Sequence, residues 1–229
     1  MRIDIVTAFP ELVKSPLQES ILKRGQEKGL VQIVVHDLRD FTRDKHHQVD
    51  DYPYGGGTGM IMKPEPFFRA FDKIAAEFPS QKRKVIFMSP EGEVFHQKMA
   101  NELVEWEQLI FLCGHYKGVD ERVIERLVTD EISIGDYVLT GGELPALVVI
   151  DAVVRLIPGV IGDFQSAATD SFQHELLDYP HYTRPEEYRG YGVPKILLSG
   201  HHQKIEEWRK EQALKKTREK RKDLLERNH

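Results

Sequence analysis

Two rhythms of apolar and polar positions run along this chain. Short apolar stretches rich in β-branched residues recur at 2–8, 31–36, 85–88, 109–112 and 131–134, and they predict strands. Between them, apolar residues return at helical intervals at 16–28, 67–78, 97–105 and 122–128. Gly25 and Gly29 mark the end of the first of these helices, and Phe9-Pro10 ends the first strand. Strands alternating with helices predict an α/β fold with a largely parallel sheet flanked by helices.

The stretch DEISIGDYVLTGGELPALVVIDAVVRLIPG, residues 130–159, departs from both rhythms. It opens on a loop holding Gly135, Gly141 and Gly142, where a missing Cβ lets backbone approach a ligand. Residues 144–157 are then apolar almost throughout, yet contain Asp151 and Arg155. A charge inside a buried helix is costly unless it is paired or faces a site. Spacing leaves two readings of Arg155 open: an ion pair with Asp151 on the same helical face, or a charge carried into a cleft. The strands at 85–88, 109–112 and 131–134 each run into a turn-rich loop: Ser89-Pro90-Glu91-Gly92, 114–118 and 135–142. Ligands of open α/β sheets sit outside the carboxyl ends of the strands, so three such loops predict one small-molecule site. Neither G-x-G-x-x-G nor G-x-x-x-x-G-K-[ST] is present, which argues against a dinucleotide or P-loop site.

At 229 residues, 40% hydrophobic and 30% charged, the chain suits one large folded domain or two small ones. No apolar run approaches the ~18 residues of a membrane span, and the N-terminus lacks the apolar core of a signal peptide. The lone cysteine, Cys113, excludes an intrachain disulfide, and a cytoplasmic location is expected. Net charge is −5, unevenly spread: residues 204–227 hold ten Lys and Arg against six Asp and Glu, so +4 there and −9 elsewhere. The run Lys215, Lys216, Arg218, Lys220, Arg221, Lys222 is denser than a solvated helix needs and suits a phosphate backbone. The small, polar stretch 161–172 reads as a linker between a domain at 1–160 and a smaller, mostly helical one at 173–229. The tail is helical from Gln203, with Ile205 and Trp208 three apart.

Six segments carry a more specific signal. They are VDDYPYGGGTGM at 49–60, MSPEG at 88–92, LCGHYKGVDERV at 112–123, ISIGDYVLTGGELPA at 132–146, DSF at 170–172 and LLDYPHYTRP at 176–185. In order and spacing, across the whole chain, they resemble the bacterial tRNA (guanine-N1)-methyltransferases of the trefoil-knotted superfamily. The resemblance implies a deep C-terminal trefoil knot in the catalytic domain, which general rules of chain topology would not suggest. It implies S-adenosylmethionine as methyl donor, held by Ser89, Pro90 and Gly92 of the first loop and by Gly114, Tyr116 and Gly118 of the second. The third loop would supply Ser133, Ile134, Gly135, Tyr137, Leu139, Gly141, Gly142 and Pro145. The methyl acceptor implied is N1 of the guanosine at position 37, just 3′ of the anticodon in tRNA, a modification that maintains the reading frame. Asp170 matches the general base that takes the N1 proton, and Arg155 matches the residue that stabilises charge on guanine O6. Asp50 and the turn at Gly55 match a region near the target base, and Asp178 a residue that crosses the subunit interface. Lys215, Lys216 and Arg218 fall in the tRNA-binding domain. Members of the family are homodimers with active sites shared between subunits, and their turnover depends on magnesium. Many carry glutamate at the position of Lys117, so lysine there is a departure.

On the residues alone, Asp170 reads as a helix cap or turn and the glycines at 55–57 as a structural turn; the resemblance reverses both. His46-His47 and His201-His202 have no carboxylate or cysteine set to complete a metal site and read as surface or RNA-facing. No dedicated magnesium cage is evident either. Two alternatives are a relative acting on ribosomal RNA and a non-enzymatic RNA-binding module. The DSF and PHYTRP segments weigh against the first, and the presence of both Asp170 and Arg155 weighs against the second.

Overall fold

The computed structural model describes residues 1–162, 170–172 and 176–226. The chain forms two compact units, Met1–Phe164 and Gln165–His229. In chain order the first runs β1 (Arg2–Thr7), α1 (Glu11–Leu17), α2 (Ser20–Glu27), β2 (Gln32–Asp37), β3 (Asp50–Asp51), β4 (Ile61–Met62) and α3 (Pro64–Glu77). It continues with β5 (Arg83–Val94), α4 (Gln97–Leu103), β6 (Gln108–Leu112), α5 (Glu121–Leu127), β7 (Asp130–Ser133) and α6 (Glu143–Val154).

Five strands pair in the order β2-β1-β6-β5-β7, and every pairing is parallel, as the alternating rhythm predicts. Each residue of β1 and β6 is buried, because central strands of such a sheet are covered on both faces. The period of two sorts their side chains. Ile3, Ile5, Leu109 and Phe111 pack with α1, α2, α4 and α6, while Val6, Ile110 and Leu112 pack with α3 and α5.

The second face also holds a polar cluster. Asp4 is fully buried, accepts from Arg2 Nε at 2.9 Å and Gln108 Nε2 at 2.8 Å, and lies 2.8 Å from His36 Nε2. Burial alone would raise its carboxyl, but the hydrogen bonds with His36, Arg2 and Gln108 outweigh that and hold it below the ordinary carboxylate range.

The structure parts from the predicted elements at three places. The helix expected over 16–28 is two helices. Pro10, with φ −57°, occupies the cap of α1, so the proline that ends a strand also opens a helix. Glu19 is extended and separates α1 from α2. Pairing of β5 with β7 does not stop at Met88: Met88 and Glu93 both face Ile132, and Ser89-Pro90-Glu91-Gly92 bulges out between them. Finally, α6 stops at Val154 and Arg155 is its C-cap; the apolar run beyond reports burial of Leu156 and Ile157, not helix. Asp151 is exposed and Arg155 half-buried, so neither is the deeply buried charge expected of this helix. Glu143 is.

In the second unit, β8 (Glu187–Tyr188) and β9 (Tyr191–Gly192) pair antiparallel around Arg189-Gly190, at φ 53° and 82°. The tail expected to be helical from Gln203 forms α7 (His202–Lys220), followed by α8 (Asp223–Glu226). Thr217 anchors α7: buried, it donates to the Ala213 carbonyl at 2.8 Å and accepts from the Leu177 N–H at 2.9 Å. The expected linker at 161–172 lies largely outside the described residues, of which no helix is long and apolar enough to cross a membrane.

Candidate active site

A cleft of about 370 Å³ opens at the carboxyl ends of β5, β6 and β7, a size suited to a small molecule. Ser89 and Pro90 line it from the β5 bulge, and Gly114, Tyr116 and Gly118 from the loop after β6. Ser133, Ile134, Gly135, Tyr137, Leu139, Gly141 and Gly142 line it from β7 and its following loop, with Pro145 from α6. Gly92 stands apart from this lining and has another task. A Cβ there would lie 2.4 Å from the Glu131 carbonyl carbon, so glycine lets the bulge return onto β7.

The loops hold one another. The Gly142 N–H donates to the Gly114 carbonyl at 2.9 Å, and a Cβ on Gly142 would stand 3.0 Å from Cys113 Cα. From the other side, the Met62 N–H donates to the Gly118 carbonyl at 2.9 Å and the Lys117 N–H to the Met60 carbonyl at 3.1 Å. The β3–β4 hairpin therefore clamps residues 114–118, where Tyr116 is left-handed at φ 60°. Exposed Lys117 lies in the lining, as do Glu91, Glu121 and Glu131.

Beneath the cleft, Glu143 is buried and accepts from Thr7 Oγ1 at 2.6 Å. Burial, and then the charge of Glu143, push the Cys113 thiol well above its usual range, which leaves that cysteine inert. Neither Thr7 nor Glu143 stands out in the sequence, because an acid starting a helix is ordinarily a solvated partner of the helix dipole. The available signal is its place at the head of an apolar run.

The sequence model of the family described as tRNA (Guanine-1)-methyltransferase TrmD matches residues 1–227. This chain belongs to that family. Relatives named tRNA (guanine-N(1)-)-methyltransferase include one from Desulforamulus reducens, 60% identical over 98% of this chain and 89% of its own length. Those from Dictyoglomus turgidum and Brevibacillus brevis are each 58% identical over 99% of this chain, covering 90% and 92% of their own lengths.

The remaining residues that match the family's motifs lie outside the cleft lining. In the first unit, Arg155 caps α6, half-buried. Asp50 pairs with Met62 in the β3–β4 hairpin, and Gly55 follows at φ 83° with open space where a Cβ would stand. In the second unit, Asp170 is half-buried. The Asp178 carboxylate accepts from the Tyr179 N–H at 2.8 Å and lies 2.6 Å from His181 Nε2. Lys215 and Arg218 are exposed on α7, but Lys216 donates to the Asp178 carbonyl at 2.9 Å, so part of the basic run is engaged internally.

Proposed function

We propose that this tRNA (guanine-N1)-methyltransferase takes its methyl group from S-adenosylmethionine and places it on N1 of guanosine 37, maintaining the reading frame. The observation that carries this is the convergence of three glycine-bearing loops on one cleft at the carboxyl edge of a parallel sheet. The cleft fits the donor: backbone N–H and C=O groups can read an adenine edge, and the lining glycines let the loops pack closely enough to bring that backbone together. When bound, S-adenosylmethionine supplies an electrophilic methyl on a cationic sulfur. Asp170 accepts the N1 proton as the new bond forms, and Arg155 stabilises charge developing on O6. In this proposal the three loops form the trefoil knot of the family.

The enzyme acts as a homodimer, each active site using Asp170 of the partner subunit. Exposed Leu144 and Val148, four apart on α6, support this, since they form an apolar strip that a second copy would cover. The domain at 173–229 binds tRNA, with Lys215, Lys216 and Arg218 toward phosphates, and Asp50 and Gly55 lie near the target base. Asp178 crosses the interface. Turnover depends on magnesium, and the enzyme is cytoplasmic.

The test is a tRNA transcript incubated with the protein and labelled donor, followed by mapping. Methyl on N1 blocks the Watson–Crick edge, so reverse transcription should stop at guanosine 37 alone. A transcript left unlabelled, or labelled at another position, would overturn the assignment.

A further inference from the structure

Glu143 is a buried carboxyl group to which the proposed reaction gives no task. It is 2% exposed at the first position of α6. Thr7 Oγ1 accepts the Phe9 N–H at 2.8 Å and donates to Glu143 Oε1 at 2.6 Å. Among the described residues no Lys, Arg or His nitrogen comes within ion-pair distance of that carboxylate. A buried carboxylate without a cation is costly to keep. Such a group beside a pocket marks a functional candidate.

Its second oxygen lies against Gly141, which lines the cleft. A Cβ on Gly141 would lie 2.3 Å from Glu143 Oε2 and 3.1 Å from His115 Nε2, so the Gly141 backbone and the His115 ring, both in the cleft lining, are what stand between the carboxylate and the cleft. Exposed Glu91 and Glu121 and half-buried Glu131 also line the cleft, but water reaches all three; Glu143, 2% exposed, is screened least. Its field already reaches the neighbouring thiol of Cys113, second to burial as a cause of that group's upward shift.

We propose that Glu143 makes the cleft prefer a cationic sulfonium donor over the neutral thioether left after transfer. The inference rests on the donor reading of the cleft. In the reaction the carbon–sulfur bond breaks, its electron pair stays on sulfur, N1 gains the methyl and its proton goes to the base. The ligand thereby loses the charge that Glu143 attracts, so transfer itself loosens the product. Lys117, also in the cleft lining, is itself a cation and cannot supply that attraction.

Calorimetry on the full chain without tRNA tests this with three probes: S-adenosylmethionine, its amine-bearing analogue sinefungin, and S-adenosylhomocysteine. The wild type should bind both cations more tightly than the thioether. Glu143→Gln keeps the size and the acceptor for Thr7; it should weaken both cations by about tenfold, or about 1.4 kcal/mol. The thioether should lose less than about twofold on that scale. Glu143→Asp should keep the preference. An equal loss for all three probes, or no loss, overturns the proposal and leaves Glu143 as a shaper of the loop. Should Glu143→Gln not fold, the wild type decides. A preference that survives in roughly 1 M salt supports a buried charge, and one that vanishes there, or is absent at low salt, overturns it. Binding of none of the three would overturn the donor reading itself, and this inference with it.

Discussion

Asp170 and Arg155 divide one proton transfer between them in the proposed reaction. Asp170→Asn keeps the shape but cannot take the N1 proton, so single-turnover transfer should fall about 10²–10⁴-fold while donor and tRNA affinities hold. Arg155→Ala should cost on the order of 10²–10³, and the double variant less than the product of the two. Near wild-type turnover in Asp170→Asn would remove the base assignment. A second prediction concerns Asp4. Its folded value is depressed, so its contribution to stability is complete above the unfolded value of about 3.9 and is lost as pH falls through the lower folded value. Asp4→Asn leaves Arg2 short of its buried partner and should cost about 3–5 kcal/mol near neutrality. Thermal melts should show that deficit narrowing between about pH 5 and pH 3; a constant gap would mean that packing, not charge, sets it. Legibility was uneven at this scale. Glycines after short apolar strands announced the cleft because loop glycines have few other uses. Glu143 did not, since sequence cannot say that a helix's first turn is buried. Arg155 misled, because an apolar run looks the same whether it continues as helix or as a buried turn.

The β5 bulge is the element on which the cleft turns. It carries Ser89 and Pro90 into the lining, and Gly92 returns the strand to β7 with no room for a Cβ. Gly92→Ala should cost about 1–3 kcal/mol, a Tm loss of several degrees, because the atom it would meet is backbone and cannot rotate away. Donor affinity should fall with it. A variant as stable as wild type and with unchanged affinity, by calorimetry, would show that the bulge tolerates separation from β7. Sequence located this bulge as a turn but not as a detour within one strand, since register shifts depend on what the neighbouring strand offers. The two-residue strands β3 and β4 were invisible for a simpler reason: a period of two needs more than two residues to appear. They nonetheless clamp the loop at 114–118.

At the scale of the molecule, the cleft lining belongs to the first unit, whereas Lys215 and Arg218 belong to the second. Removing residues 204–229 should leave donor binding near normal and weaken tRNA binding. Full tRNA affinity in a truncated, still dimeric protein would refute the role given to α7. In the intact protein, raising salt should weaken tRNA binding steeply as phosphate contacts release counterions. The parallel sheet was legible from alternating rhythms, while the knot and the shared active site proposed for this enzyme leave no periodic trace in one chain and rest on the family resemblance alone. The sheet order has one more consequence, for synthesis. Ile3 pairs with Leu109 and Val6 with Leu112, so β1 can complete only its β2 side until about 75 further residues have been made. At roughly 5–20 residues per second, a nascent chain waits about 4–15 s with one edge of a strand buried along its whole length still unzipped. The ribosome's tempo, and whatever shields that edge meanwhile, thus become part of how this fold is reached.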